Sequence, residues 1–164
     1  MNGHPRGKVV LGLGNLLLRD EGVGVHVLRE LETHYSFGDE VKLVDGGTGG
    51  LKLLSYIAEA DHLIIIDAIQ SGQPPGSLHR LTLDDIAEGT LPLTSLHEVG
   101  LSEVLQIACK LGHQPSAVIL GVEPQDITSW GTELTPAIAE KVPALINMVL
   151  EELERVGVTI RVAK

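Results

Sequence analysis

Four short aliphatic runs, separated by amphipathic segments, are the feature that most constrains the fold of this chain. Each run is rich in Val, Ile and Leu and too short for a typical helix, so each is predicted to be a buried β-strand. The runs cover residues 8–14, 41–45, 62–67 and 116–123. Strands that alternate with helices over short connections form a mostly parallel sheet covered on both faces. The sequence therefore predicts a three-layer α/β fold, with residues 1–164 as a single domain.

The segments between these runs predict the helices and one further strand. Apolar residues recur at helical spacing in residues 22–35, 51–60 and 101–112. Thr135 followed by Pro136 predicts the start of a long terminal helix, because threonine is a favoured N-cap and proline a favoured first helical residue. Residues 77–83 alternate less clearly and follow a Pro-Pro-Gly turn, so they are predicted to form an edge strand.

Composition excludes several classes of function. The formal charge is −10 and only 2% of the residues are aromatic, which argues against binding to nucleic acid or to anionic membrane surfaces. The single cysteine, Cys109, excludes an internal disulfide framework and a cysteine-cluster metal site. No apolar run approaches the roughly 18 residues of a membrane span, and the start of the chain lacks a signal-peptide pattern. We therefore expect a soluble, cytoplasmic protein, with a monomer as the default.

Acidic residues follow each of the four predicted core strands. Asp20 and Glu21 follow the first strand, Asp45 and Asp67 end the second and third, and Glu123 ends the last. The carboxyl ends of parallel strands meet at one edge of the sheet, where ligands bind if the strand order reverses. Crowded carboxylates are costly unless a cation, a proton or a cationic substrate relieves their repulsion. The sequence thus places a candidate site at this edge.

Each of these acids also has a simpler structural role. Asp67 could accept backbone hydrogen bonds at a strand end, Glu21 could be a solvated residue near a helix N-terminus, and Asp45 could form an Asx-turn. Of the seven histidines, His97 lies in a loop that could fold over the sheet edge. Two carboxylates with His97 would make a three-ligand site suited to nickel or zinc. The spacing matches no compact metal motif, so both interpretations stay open.

A nucleotide-binding interpretation fits poorly. Gly12 and Gly14 follow the first strand as in the dinucleotide fingerprint G-x-G-x-x-G, but Leu17 stands where the third glycine should be. Asp20 and Glu21 would then repel a pyrophosphate at the helix start. The glycines are better explained by a tight turn and close backbone packing.

Two side chains outside the sheet edge are expected to be structural. Cys109 lies in an apolar helical segment and is expected to be a small buried hydrophobe. Trp130, in the loop SWGTELTP, is expected to pack over a helix terminus, with a pocket lid as the alternative. Neither Ser55 nor Ser71 has the sequence context of an activated nucleophile.

Five stretches in fixed order carry a resemblance to a known family. They are GLGNLLLRDEGVGVHVLRELE, DGGTGG, LIIIDAI, SLHEVGL and GVEP. Together they resemble the hydrogenase maturation proteases, the endopeptidases that process the large subunit of nickel–iron hydrogenases, from about Lys8 to the terminal helix. The resemblance implies a twisted, mostly parallel sheet between helices. It also implies an enzyme that removes the C-terminal extension of a hydrogenase large-subunit precursor after nickel insertion.

The resemblance further implies which residues act. Glu21 in RDEGVG, Asp67 in IIIDAI and His97 in SLHEVGL match the metal-contacting residues of the family, and the nickel is expected to be supplied by the precursor as a recognition element. Asp45 of DGGTGG lies in a family motif and is implied to shape the cleft or assist hydrolysis, as a candidate catalytic residue. The alternative function is a non-catalytic, nickel-sensing checkpoint or metallochaperone that binds the precursor.

Overall fold

The computed structural model describes residues 7–87 and 100–164. The strands are β1 (Gly7–Leu13), β2 (Tyr35–Ser36), β3 (Val41–Gly47), β4 (Ala60–Ala68), β5 (Leu78–Thr82), β6 (Ser116–Val122) and β7 (Arg161–Val162). The α-helices are α1 (Val23–His34), α2 (Leu53–Glu59), α3 (Leu83–Ala87), α4 (Leu101–Lys110), α5 (Pro136–Ala139) and α6 (Val142–Arg155), and a 3-10 helix covers Arg19–Gly22. The four predicted core strands and the helices between them are confirmed.

The main sheet has five strands in the order β3-β1-β4-β6-β5. Strands β3, β1, β4 and β6 are parallel, and β5 runs antiparallel to β6 at the edge, as predicted. A separate antiparallel pair, β2 with β7, was not predicted. Strands of two residues are too short to show a period of alternation, so the sequence carries no signal for them.

The order of the strands reverses between β1 and β4. From β1 the chain moves to β3 on one side, and it then crosses to β4 on the other side. In the register of β1 with β4, Gly12 lies opposite Ile66. A crevice forms at such a reversal because the connections leave the strand ends in opposite directions. The carboxyl ends of β1 and β4 are therefore where a ligand site is expected.

The run Leu63–Ile66 is buried on both faces of the sheet. All four side chains are 0% exposed. Ile64 and Ile66 belong to the hydrophobic layer formed with α1 and α6, whereas Leu63 and Ile65 belong to the layer formed with α2 and α4. Successive side chains of a strand point to opposite faces, so a strand between two helical layers needs a continuous aliphatic run. The three-layer α/β fold is thus confirmed.

Close packing of α1 against the sheet depends on Gly24. A Cβ atom on this residue would lie 2.1 Å from the carbonyl oxygen of Ile66 and 2.4 Å from that of Leu13. Only glycine lets the first turn of α1 approach the ends of β1 and β4 this closely. The segment that precedes α1, which contains Glu21, is consequently held at the reversal of the strand order.

Two expectations about the helices were wrong. Thr135 and Pro136 do begin a helix, but it ends after Ala139, and α6 begins separately with Pro143 in its first turn. Proline has no N–H to donate to the carbonyl four residues earlier, so one continuous helix is not formed there. Cys109 is exposed, because it lies one position beyond the buried face of α4 and therefore about 100° around the helix.

None of the helices in the described ranges is both long and apolar enough to cross a membrane.

Candidate active site

Acidic residues stand along the carboxyl edge of the sheet in the order of the strands. Asp45 belongs to β3, Glu21 follows β1, Asp67 belongs to the end of β4, and Glu123 follows β6 directly. The predicted convergence at one edge is confirmed for these four residues. They differ in exposure and in hydrogen-bond partners, and these differences identify the acids that have structural roles.

Glu21 lies in the 3-10 helix between β1 and α1 and is only 6% exposed. Its backbone is packed against the turn that follows β1, because a Cβ atom on Gly14 would lie 1.8 Å from the carbonyl oxygen of Glu21. Gly14 also has a φ of 135°, a conformation that side chains of L-residues disfavour. The 3-10 helix contacts β4 as well. Glu21 is therefore fixed at the strand-order reversal by backbone packing.

Asp67 lies at the carboxyl end of β4, the strand on the other side of the reversal, and is 8% exposed. Its Oδ1 accepts a hydrogen bond from the N–H of Ala68 at 2.8 Å. Its strand is paired with β1 on one side and β6 on the other, so its backbone is held on both sides. The structure thus places Glu21 and Asp67, both nearly buried, on the two sides of the strand-order reversal, and carboxylates are donors suited to a divalent cation.

Asp45 lies farther along the same edge and is exposed. Its strand neighbour in β1 is Gly12, and its Oδ1 accepts a hydrogen bond from the N–H of Gly47 at 2.9 Å. The Asx-turn considered as its structural role is therefore present. The turn occupies one lone pair of one carboxylate oxygen, which leaves capacity for a further hydrogen bond to a ligand or water.

His97 lies outside the described residues. Among residues 7–87 and 100–164, no group of three or more His, Cys, Asp and Glu side chains has an arrangement that could hold a metal ion. The described residues thus supply two carboxylates, and the third contact stays a prediction for His97.

Asp20 is the neighbour of Glu21 in the chain but has a different role. It is 0% exposed, and its carboxylate accepts hydrogen bonds from the backbone N–H groups of Gln125, Asp126 and Thr135, at 2.8 to 3.0 Å. Its own N–H donates to the carbonyl of Asp126 at 3.0 Å. Asp20 therefore fastens the Glu21-bearing segment to the loop between β6 and α5.

Glu123 has an internal role too. It is 4% exposed and accepts hydrogen bonds from the backbone N–H groups of Ser71 and Gln73 and from the Ser71 hydroxyl, with His79 Nε2 at 3.2 Å. Burial alone would raise the pKa of Glu123, but the hydrogen bonds from Ser71, Gln73 and His79 outweigh it and lower the pKa of this carboxyl. The cluster holds the chain that leaves β4 against the end of β6.

Ser71, His79 and Glu123 combine residue types found in catalytic triads, but their geometry differs from that of a triad. The Ser71 hydroxyl donates directly to Glu123, and the same histidine nitrogen, Nε2, lies near both Ser71 Oγ (3.3 Å) and Glu123 Oε1. A triad needs the histidine between serine and carboxylate, with one ring nitrogen facing each. The expectation that Ser71 is not an activated nucleophile agrees with this arrangement.

The repulsion expected at the acidic edge is thus relieved by hydrogen bonds at two of the acids. At Asp20 and Glu123, backbone N–H groups stabilise the negative charge, so neither needs a cation. Sequence reasoning missed this, because the donors to Asp20 lie 105 to 115 residues away along the chain. Glu21 and Asp67 are the acids placed at the reversal of the strand order.

Comparison with known proteins identifies proteins that are similar to this chain in sequence and in fold. A sequence model of the family described as hydrogenase maturation protease (HycI) matches residues 25–152. The hydrogenase expression/formation protein HupD of Bradyrhizobium diazoefficiens is 40% identical, over 93% of this chain and 80% of that protein. The hydrogenase 2 maturation protease of Escherichia coli is 37% identical, over 92% of each. The structure of the hydrogenase maturating endopeptidase HybD from E. coli superposes with a TM-score of 0.88 at 34% identity, over 95% of this chain and 97% of that one.

Proposed function

Because this chain belongs to the hydrogenase maturation protease family, we propose that it removes the C-terminal extension of a nickel–iron hydrogenase large-subunit precursor after nickel insertion. The nickel is part of the substrate and serves as the recognition element. We further propose that the enzyme acts as a cytoplasmic monomer. With the single cysteine Cys109, the fold does not depend on an internal disulfide and is compatible with a reducing compartment.

The pair of nearly buried carboxylates at the strand-order reversal is the observation that carries this proposal. Glu21 and Asp67 lie 46 residues apart in the chain, and both are held by backbone packing. A preorganised carboxylate pair in a region of reduced dielectric binds a divalent cation more strongly than the same groups in water. The pair is therefore suited to contact a metal ion presented by another protein.

In the proposed mechanism, Glu21 and Asp67 contact nickel that is already ligated by the precursor, and His97 supplies a third contact. This anchoring places the peptide bond to be cleaved beside the cation. A metal ion in that position can polarise the carbonyl oxygen or lower the pKa of a bound water. Asp45, which keeps free acceptor capacity beside its turn, assists hydrolysis by accepting a proton from the attacking water.

Selectivity for the loaded precursor follows from the same contacts. A precursor without nickel offers no cation to the two carboxylates, so it loses the interaction that orients the peptide bond. The binding energy of the metal is thereby used to position the reacting group, which is a common source of rate acceleration. We therefore expect nickel to act on cleavage through the substrate rather than through a metal resident in the enzyme.

The test replaces each of the three contacts, with substitutions of nearly unchanged size for the two carboxylates and removal of the ring for the histidine. Glu21→Gln, Asp67→Asn and His97→Ala are each expected to lower cleavage of the nickel-loaded precursor by about 100-fold, because the first two remove the negative charge of a ligand and the third removes a ligand. Glu151→Gln is the matched control, since Glu151 is exposed on α6, away from the carboxyl edge. Wild-type cleavage in all three variants would contradict the proposed metal contact. Tight binding of the loaded precursor without any cleavage by the wild type would instead support the checkpoint alternative.

A further inference from the structure

The only tryptophan of the chain, Trp130, is 79% exposed. The expectation that it packs over a helix terminus is therefore wrong. In a chain with 2% aromatic residues, a large apolar ring is placed in solvent instead of in the core. Tryptophan is among the residues most enriched at the energetic centres of protein interfaces, because its ring buries a large area with few rotatable bonds.

A second exposed apolar residue lies beside it. Leu17 is 52% exposed, and the backbone of its segment pairs with that of Trp130. Leu18 and Gly131 form a parallel bridge, in which Gly131 N–H donates to the Leu17 carbonyl and Arg19 N–H donates to the Gly131 carbonyl, both at 2.9 Å. Leu17 and Trp130 therefore lie in two backbone segments that these hydrogen bonds hold together, and together we call them the apolar pair.

The apolar pair is continuous with the proposed active site. Leu17 precedes Glu21 by four residues, so their Cα atoms are at most roughly 14 Å apart. The loop that bears Trp130 is fastened to the same segment through Asp20. A polypeptide that reaches Glu21 and Asp67 in an extended conformation covers such a distance with four or five residues. The pair is thus presented by a fixed surface within reach of the same substrate segment.

The surroundings of the pair fit a polypeptide rather than a purely apolar ligand. An open cavity of about 540 Å³ lies next to it, lined by Arg19, Asp126, Thr128 and Ser129 among others. Arg19 has a φ of 49°, which is uncommon for a residue with a side chain. Its Nε is buried and makes no hydrogen bond within the part of the chain that the structure describes. The buried Nε is out of reach of a ligand, but Arg19 also lines the cavity, and a guanidinium group there suits a backbone carbonyl next to an apolar side chain.

We propose that Leu17 and Trp130 form the docking surface for the segment of the precursor next to the cleaved bond, with Trp130 receiving an apolar side chain of that segment. This inference rests on the proposed function, because it takes the precursor as the occupant. It assigns binding, not chemistry, to the pair. Replacing Trp130 should therefore affect the concentration of precursor needed for cleavage more than the maximal rate.

Steady-state cleavage of the nickel-loaded precursor tests this directly. For Trp130→Ala we expect KM to rise at least tenfold with kcat within about twofold of the wild type, and for Trp130→Phe a smaller rise. Leu111→Ala is the matched control, because Leu111 is also a solvent-exposed apolar residue (63%) but follows α4 at the opposite end of the sheet. An unchanged KM in Trp130→Ala would overturn the proposal.

Two further measurements separate the possible outcomes. Sedimentation of the free variants tests self-association: if Trp130→Ala dissociates a dimer and leaves KM unchanged, the occupant is a second copy and the proposal is wrong. If the wild type does not cleave at all, the proposed function fails, and the affinity of the same variants for the precursor then decides. A tenfold weaker affinity of Trp130→Ala, with Leu111→Ala unchanged, would keep the docking surface, whereas equal affinities would overturn it.

Discussion

The buried carboxylate of Asp20 accepts hydrogen bonds from both the backbone N–H and the hydroxyl of Thr135, each at 2.8 Å, although 115 residues separate them in the chain. Thr135 is also the N-cap residue of α5, but its side chain makes no capping bond to that helix. Its hydroxyl is used for Asp20 instead. This relationship joins the segment that carries Glu21 to the loop that carries Trp130.

Replacing Asp20 by asparagine tests this connection. The amide nitrogen cannot accept a hydrogen bond, so some of the buried donors now facing the carboxylate lose their partner, and we expect the free energy of unfolding to fall by about 3 kcal/mol. Urea denaturation of Asp20→Asn measures this, with Glu151→Gln, at an exposed position of α6, as the control. Cleavage should fall as well, since Glu21 is the next residue. Equal stability of Asp20→Asn and wild type would show that the carboxylate is not required there.

Gly24→Ala tests the packing that holds Glu21 beside Asp67. Helix propensity alone predicts a gain of about 1 kcal/mol from this change in a helix. The added Cβ would however meet the carbonyl oxygen of Ile66, and we expect a net loss of about 2 kcal/mol or more from overpacking. The urea concentration at the midpoint of unfolding shows whether the variant is more or less stable than the wild type. Glu32→Ala, at an exposed position of the same helix, is the control, and a more stable Gly24→Ala would contradict the close approach of α1.

Stability should depend on pH through Glu123. Its pKa is lowered in the folded protein by hydrogen bonds that outweigh its burial, so it stabilises the fold above the unfolded-state pKa of about 4.3. This contribution is lost as the pH falls through the lower, folded-state pKa. Ser71→Ala removes one donor to Glu123. We therefore expect Ser71→Ala to be less stable than the wild type at pH 7, with a difference that shrinks towards pH 3.

Urea unfolding of wild type and Ser71→Ala at several pH values between 3 and 7 measures this difference. Ser55→Ala serves as the control, because the Ser55 hydroxyl bonds only to the carbonyl of Lys52 among its described contacts. A stability difference for Ser71→Ala that stayed constant over the whole range would rule out coupling to the ionisation of Glu123.

Asp45→Asn separates the structural role of this residue from a catalytic one. Asparagine keeps the side-chain oxygen that accepts the Gly47 N–H, so the turn and the unfolding midpoint should not change. A general base contributes about 100-fold or more to rate, so kcat should fall by about that factor if Asp45 accepts a proton. Rapid-quench or steady-state cleavage measures kcat. An unchanged kcat would show that Asp45 has only the structural role in its turn.

The sequence predicted those parts of the fold that local patterns determine. The run Leu63–Ile66 identified a strand buried on both faces, and the alternation of strands and helices placed Glu21 and Asp67 at one edge. In contrast, the bonds of Asp20 to Thr135 and of Glu123 to Ser71 join segments far apart in the chain, for which a single sequence contains no local signal. The split between α5 and α6 did have a signal, in Pro143, whose missing N–H interrupts the helix.

The exposure of Trp130 was unpredictable for a related reason. A ring of that size is usually at least half buried, so composition favours packing. The bridge between Leu18 and Gly131 and the hydrogen bonds of Asp20, which show that the loop lies across the segment before Glu21, become visible only in the structure. A surface residue that a partner covers looks, from sequence, like a core residue. Both packing in a core and binding to a partner remove an apolar side chain from water, so its presence in a sequence does not distinguish the two.

The most direct test is the intact mass of a nickel-loaded large-subunit precursor before and after incubation with this protein, alongside the same precursor without nickel. We predict that a C-terminal peptide is lost from the nickel-loaded sample alone. Cleavage of both samples would contradict the use of nickel as the recognition element, and an unchanged mass in both would contradict the proposed protease activity itself.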